Sequence, residues 1–352
     1  KDSDGMSAFR VAVLGSGSFG TVIARIVANS CKKSPRFDST VQLYARRQAL
    51  VDEINENHTN TQYLGDACSL PTNIVATSCI RQMVTDAKFV ILGVPSEFLE
   101  TTLDAIRPSL APDAVVVSLL KGLHYDEKCA RIVPASETIA AKLGCEVAAL
   151  MGPNIYTEMA RDEFAEATIG HNGSHGTELK ELFTVPGRFA VRLHPDIVGV
   201  EMCGALKNVA SLAAGYCEGL GYGMNVKAAV IRLSYEEIQR FCQRFFNTEE
   251  SVLLEACGMG DLILTLLAGR GQKLACAFVQ AGGTKDWDVL EDEMMSGMKL
   301  PDWRNAMYIH QILQAHDCEN EFPLFKTIHA IGFEGAPAES IITCLEEKIN
   351  ME

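Results

Sequence analysis

The chain lacks any excess of basic residues. Its 352 residues hold 31 Lys plus Arg against 45 Asp plus Glu, a formal net charge of −14. A broad nucleic-acid or anionic-membrane surface is therefore not expected, and an anionic ligand must be held by a few local cations. The twelve cysteines include no C-x-x-C pair and no zinc-type spacing. In a chain this long they read as reduced, mostly buried thiols of an intracellular protein. No apolar stretch is expected to reach the roughly 20 residues of a bilayer span. Lys1 to Arg10 carries no signal-peptide core, and Met6 is the expected start. The last three residues are not a peroxisomal signal. There is no internal repeat and no low-complexity segment. His171 and His175 lie four apart but straddle Gly173, which disfavours a helix, so no metal site is expected there.

A globular composition remains, 47% hydrophobic and 22% charged. Its length suits two domains. In the first half, apolar β-branched runs alternate with helical segments. Strands are expected at Phe9 to Leu14, Val41 to Tyr44, Phe89 to Val94, Ala114 to Leu120, Val147 to Met151, Ala167 to Ile169 and Phe189 to Leu193. Ser18 to Ala28 and Glu97 to Ile106 read as helices, and Ser30 to Thr40 as a loop. Strand, crossover and strand repeated in this way imply a doubly wound α/β sheet. Beyond Pro195 the chain is rich in Ala, Gly and Leu at helical spacing, over Val198 to Gln239, Ser251 to Gln280, Trp303 to His316 and Phe322 to Phe333. The expected architecture is an N-terminal α/β domain over 6–195 and an all-α domain over 196–352.

Gly15-Ser16-Gly17-Ser18-Phe19-Gly20 is a full G-x-G-x-x-G between an expected strand and helix. Gly15 permits the tight turn, Gly17 lets backbone approach a pyrophosphate, and Gly20 lets helix pack on strand. A Rossmann-type dinucleotide site is the reading. Thr21-Val22 rules out a Walker A loop. The acidic residue expected at the end of the second strand is absent, and Arg46-Arg47 stands there. A carboxylate would repel a 2′-phosphate, so arginine suits NADP tolerance, or else a solvated turn or stacking on adenine. Phe98 could cover the cofactor or join the core.

Three cations and an acid could carry chemistry. Lys121 follows a strand at its carboxyl end, where ligands of open sheets sit, although a surface lysine fits equally. Lys207 is the only charged residue between Glu201 and Glu218. A helix apolar nearly all round is buried, so its lysine must snorkel, pair or act as an acid or base. Asp261 stands in an apolar stretch with Thr265 and could pair with Lys207. Arg270, between Gly269 and Gly271, has the fork geometry for a phosphate or lies in a plain turn.

These segments, with Met151-Gly152-Pro153-Asn154, Gly204-Ala205-Leu206-Lys207-Asn208 and Asn225-Val226-Lys227-Ala228-Ala229, occur in the order of one family. From about Phe9 to Leu345 the chain resembles the soluble NAD-dependent glycerol-3-phosphate dehydrogenases, particularly the eukaryotic cytosolic type. The resemblance implies hydride transfer between NAD(H) and dihydroxyacetone phosphate or sn-glycerol 3-phosphate, in a cytoplasmic homodimer. It implies Lys207 as the catalytic lysine, Lys121 as the second active-site lysine and Asp261 as the acid that orients Lys207. Asn154, Asn208 and Thr265 would contact substrate, and Arg270 would clamp its phosphate, with Gly271 offering a backbone N–H. Gly15 to Gly20, Phe98, Lys121, Arg270 and, weakly, Lys299 would hold the cofactor, to which the position of Arg46 after the second strand adds that residue. The chain departs from the family pattern at several points. Gly271 stands where Asn is usual, Ser96-Glu97 where His-Gln is usual, Met298 and Pro301 where Gln is usual, and Arg46-Arg47 where an aromatic and an acid are usual. The alternatives are a 3-hydroxyacid or 6-phosphogluconate type of dehydrogenase, or a catalytically silent NAD(H) sensor.

Overall fold

The computed structural model describes residues 8–65, 68–295 and 299–350. The expected start at Met6 and the departure at Met298 lie outside them. The chain divides into two compact units: residues 1–120 with 135–197, and residues 121–134 with 198–352.

The first unit is built on an eight-stranded sheet. Its strands are β1 (Phe9–Leu14), β2 (Phe37–Tyr44), β3 (Ile74–Thr77), β4 (Ala87–Leu92), β5 (Val115–Ser118), β8 (Glu146–Met151), β9 (Ala165–Gly170) and β10 (Phe189–His194), in the order β10-β9-β8-β5-β4-β1-β2-β3. All neighbours run parallel except β8 and β9. From β3 across to β8 this is the order of a doubly wound dinucleotide-binding fold. The chain reverses its spatial course at β1 and β4, and ligands bind at such a switch point.

The apolar runs are continuous because both faces are covered. Val11 and Val13 face one core, with α1 (Ser18–Cys31), α2 (Gln48–Asn57), α7 (Tyr156–Ala160) and α8 (Gly176–Phe183) contributing to that layer. Ala12 and Leu14 face the other, which holds Met83 of α4 (Ile80–Val84), Leu103 of α5 (Leu99–Ile106) and Ile139 of α6 (Ala135–Leu143). A short helix, α3 (Thr61–Leu64), follows α2. The segment expected as a loop over Ser30 to Thr40 is mostly ordered structure. Helix α1 runs on to Cys31, and β2 begins at Phe37, paired with Phe9 across a register shift.

In the second unit, the segment 121–134 is an excursion that the sequence boundary near 195 does not anticipate. It forms the antiparallel hairpin β6 (His124–Asp126) and β7 (Arg131–Val133). The Leu123 N–H donates to Asn305 Oδ1 at 3.2 Å, which ties the hairpin's base to the helices. Those are α9 (Ile197–Gly219), α10 (Met224–Phe246), α11 (Asp261–Ala268), α12 (Arg270–Gln280), α13 (Trp287–Met294), α14 (Asp302–Ala315), α15 (Pro323–Phe333) and α16 (Ser340–Asn350).

Two helical stretches among the described residues, Ile197–Gly219 and Ala256–Gln280, are after all long and apolar enough to cross a membrane. That corrects the expectation of none. The first is buried along almost its whole length, from Gly199 to Cys217. A core helix that is apolar all round meets the same criterion. The second is interrupted. A π-helical turn over Ala256–Gly260 precedes α11, and Gly269 adopts an extended conformation before α12.

Candidate active site

The glycine loop is shaped by contacts that side chains would prevent. Gly15 has φ +126°, and a Cβ there would lie 2.3 Å from the Gly93 carbonyl oxygen. A Cβ on Gly20 would lie 2.1 Å from the carbonyl of Gly15. Gly17, by contrast, faces open space. It caps α1 without a side-chain hydrogen bond, and the first turn holds no acid. Free N–H groups at a helix start, with the positive end of its dipole, suit a phosphate. The residues present therefore fit a dinucleotide pyrophosphate at Gly15 to Gly20.

Asn60 escaped the sequence reading. It is fully buried, and its amide donates to the Ser16 carbonyl at 2.9 Å and to Thr21 Oγ1 at 2.8 Å. Thr21 Oγ1 in turn donates to the Ser16 carbonyl at 3.1 Å. In an Asn- and Thr-rich stretch nothing distinguishes it from loop polarity. Ser18 donates to the Tyr63 carbonyl at 3.2 Å. Arg46 is exposed just beyond β2, while Arg47 is held by Gln62. Phe98 follows β4 on a 3-10 turn and is 48% exposed, so it is no core residue.

The second unit assembles the lysines and the acid. Asp261, at the start of α11, is almost wholly buried and bridges both lysines. Its Oδ1 lies 2.5 Å from Lys207 Nζ, and its Oδ2 lies 3.1 Å from Lys121 Nζ. Lys207 Nζ also donates to Thr265 Oγ1 at 2.8 Å, and Thr265 Oγ1 lies 3.4 Å from Asp261 Oδ1. Asp261 and Thr265 share a helix face because they are one turn apart. The π-helical turn sets that face, a distortion common beside functional residues.

Burial of Lys207 and the charge of Lys121 push the Lys207 ammonium down to about 8, against the pull of Asp261 and Asp302. A lysine in this range both gives and takes a proton near neutrality. Lys121 is more open, its side chain 26% exposed.

The other expected residues are placed as follows. Asn208 is buried one position beyond Lys207, its amide reaching the Gly204 carbonyl at 3.5 Å. Asn154, in the first unit, donates to the Glu166 carbonyl at 2.8 Å, and its buried Oδ1 has no partner among the described residues. Arg270 is exposed at the start of α12. Gly271 is buried. Lys299 is engaged with Asp292 at 2.8 Å, Glu291 at 3.2 Å and Asp288 at 3.6 Å. That acidic set occupies its ammonium. The two histidines of the polar turn both bond the carboxylate of Glu146, His171 at 2.5 Å and His175 at 3.0 Å.

A second acid beside this group was not anticipated. Asp302, in the first turn of α14, is buried and accepts from Ser211 Oγ at 2.8 Å. An acid at a helix start reads as ordinary capping, so the sequence offered no signal.

The fold and the glycine loop fit a dinucleotide-dependent oxidoreductase. Comparison with known proteins narrows this. The pattern for the NAD-dependent glycerol-3-phosphate dehydrogenase N-terminus matches residues 10–176, and that for the C-terminus of the same family matches residues 196–343. The cytoplasmic glycerol-3-phosphate dehydrogenase [NAD(+)] of Bos taurus is 37% identical over 349 residues, covering 97% of this chain and 98% of that one. The solved glycerol-3-phosphate dehydrogenase of Plasmodium falciparum superposes with a TM-score of 0.91 at 34% identity, over 96% of this chain and 95% of that one. That of Saccharomyces cerevisiae gives 0.89 at 32%, over 97% and 100%. The chain belongs to the NAD-dependent glycerol-3-phosphate dehydrogenase family.

Proposed function

We propose that this protein interconverts dihydroxyacetone phosphate and sn-glycerol 3-phosphate with NAD(H). The observation that carries the reading is the Lys207–Asp261–Lys121 bridge with Thr265 on the same helix face. When bound, the nicotinamide supplies or accepts the hydride at C2. Lys207, as an ammonium, gives its proton to the C2 oxygen as the alkoxide forms. Lys121 stabilises that developing charge, and Asp261 holds both ammonium groups in place. In the reverse direction neutral Lys207 takes the hydroxyl proton. Arg270 binds the phosphate, while Asn208, Asn154 and the Gly271 N–H orient the substrate. The loop Gly15 to Gly20 holds the pyrophosphate, and Phe98 covers the cofactor.

Arg46 stands where a carboxylate would repel a 2′-phosphate, so NADPH is expected to be tolerated. A dimer of this chain in the cytosol follows the family resemblance. The test follows loss of nicotinamide absorbance with dihydroxyacetone phosphate, using NADH and NADPH in parallel. Turnover with NADH is expected, with slower turnover on NADPH. Loss with NADH alone would remove the 2′-phosphate role of Arg46. Cofactor binding without turnover would return the protein to a sensing role.

A further inference from the structure

The clamp arginine has a built-in anionic neighbour. An ideal Cβ on Gly271 would lie 1.7 Å from Asp302 Oδ1 and 2.6 Å from Ser211 Oγ. The space a side chain would take beside Arg270 is therefore filled by a carboxylate brought in from α14. Asp302 is 4% exposed, and its Oδ1 lies 2.8 Å from Ser211 Oγ, whose single proton is shared with the Asn208 carbonyl at 2.7 Å. The charges that act on it most strongly are Arg270 on α12 and Lys207 on α9. Lys207 is in turn paired with Asp261, which also pairs with Lys121. Burial raises the Asp302 carboxyl above the usual carboxylate range, while Ser211, Arg270 and Lys207 hold it back.

We propose that Asp302 is a specificity-determining residue of the substrate site, making an oxyanion bind Arg270 together with a proton. A phosphate arriving at Arg270 brings negative charge against a buried carboxylate, and like charges brought together away from water repel strongly. The carboxylate relieves the repulsion by taking a proton from solvent as the anion enters. Affinity for a phosphate ester therefore falls as pH rises through the ionisation of Asp302. The inference rests on Arg270 as the phosphate clamp, and an Arg270→Ala variant separates the two claims: it should lose the pH-dependent sulfate binding, while sulfate held by the Gly15 to Gly20 loop would persist in it.

The probe is inorganic sulfate, a dianion that does not itself titrate between about pH 6 and about pH 9. The full chain is titrated calorimetrically in two buffers of different ionisation heat. In the wild type, affinity should fall with rising pH, with net proton uptake on sulfate binding. Asp302→Asn keeps the shape and an acceptor for Ser211. It should bind sulfate about tenfold tighter at the alkaline end of that range, with clearly smaller proton uptake. Ser211→Ala removes a bond that favours the ionised carboxyl, so the break in affinity should move to higher pH. Coincident affinities and proton counts in wild type and Asp302→Asn would overturn the proposal, as would a break that does not move in Ser211→Ala. Dihydroxyacetone phosphate turnover is measured separately. Turnover without the sulfate behaviour sinks this inference alone. The sulfate behaviour without turnover sinks the dehydrogenase reading and leaves the proton-linked anion site.

Discussion

At the scale of single residues, the chemistry turns on how few charges are buried and how closely they meet. Lys207 is stabilised as an ammonium by Asp261 and destabilised by burial and by Lys121, and the balance leaves it near 8. The sign for activity follows. Ketone reduction needs the ammonium, so its kcat should hold below pH 8 and fall above it. Alcohol oxidation needs the neutral amine, so its kcat should rise through the same range. Lys207→Ala should lower kcat in both directions by about 10²–10⁴-fold while leaving NADH binding close to wild type. A variant with full turnover, or two directions with the same pH slope, would remove Lys207 from proton transfer. The sequence singled out Lys207, Asp261, Thr265 and Lys121, since a lone charge in an apolar stretch must find a partner. It did not single out Asp302 or Asn60. Their significance lies in neighbours supplied from other elements, Gly271 and Ser211 for one and the Ser16 carbonyl for the other.

At the scale of elements, sequence periodicity located the main sheet strands and the long helices. It passed over the short strand β3 (Ile74–Thr77), and it failed where polar residues sit in regular structure. Phe37-Asp38-Ser39-Thr40 begins β2 although it reads as loop, because pairing with β1 supplies the order. The glycine loop permits a sharp test. Gly20→Ala sets a methyl 2.1 Å from the Gly15 carbonyl oxygen. It should weaken NADH binding by well over tenfold and lower stability by about 1–3 kcal/mol. Unchanged cofactor affinity would mean the loop does not hold the pyrophosphate.

A second element is held by a buried acid. Glu237 of α10 accepts the N–H groups of Leu324 and Phe325 at 2.7 and 2.9 Å, orphan donors of the first turn of α15. Burial pushes its carboxyl up to about 8. The folded value lies above the unfolded one of about 4.3. Its stabilising contribution is therefore full below that pH and is lost as pH rises through about 8. Glu237→Gln lacks this dependence. Urea melts should show its deficit against wild type largest in acid and shrinking towards pH 8. A deficit that widens with pH would contradict the assignment.

At the scale of the whole molecule, the twelve cysteines are all free thiols, and eight of them are buried. Burial pushes Cys31 and Cys217 up to about 12, which keeps them protonated and unreactive. Cys79 and Cys129 are exposed. Since no disulfide contributes to stability, melting temperatures with and without reductant should agree. A drop on adding reductant would reveal a bridge.

The sequence by itself determined the two-part architecture, the glycine loop after β1 and the choice of Lys207, Asp261 and Lys121 as charges that must find partners. Those features depend on local rules: the period of apolar residues, the steric freedom of glycine, and the cost of an isolated charge among apolar neighbours. Only the tertiary structure decided the rest. It placed residues 121–134 with the helical unit, turned β9 antiparallel, occupied Lys299 with acids, and set Asp302 into the space left by Gly271. Each of these depends on groups distant in sequence meeting within a few ångströms, a relation that neither composition nor periodicity records.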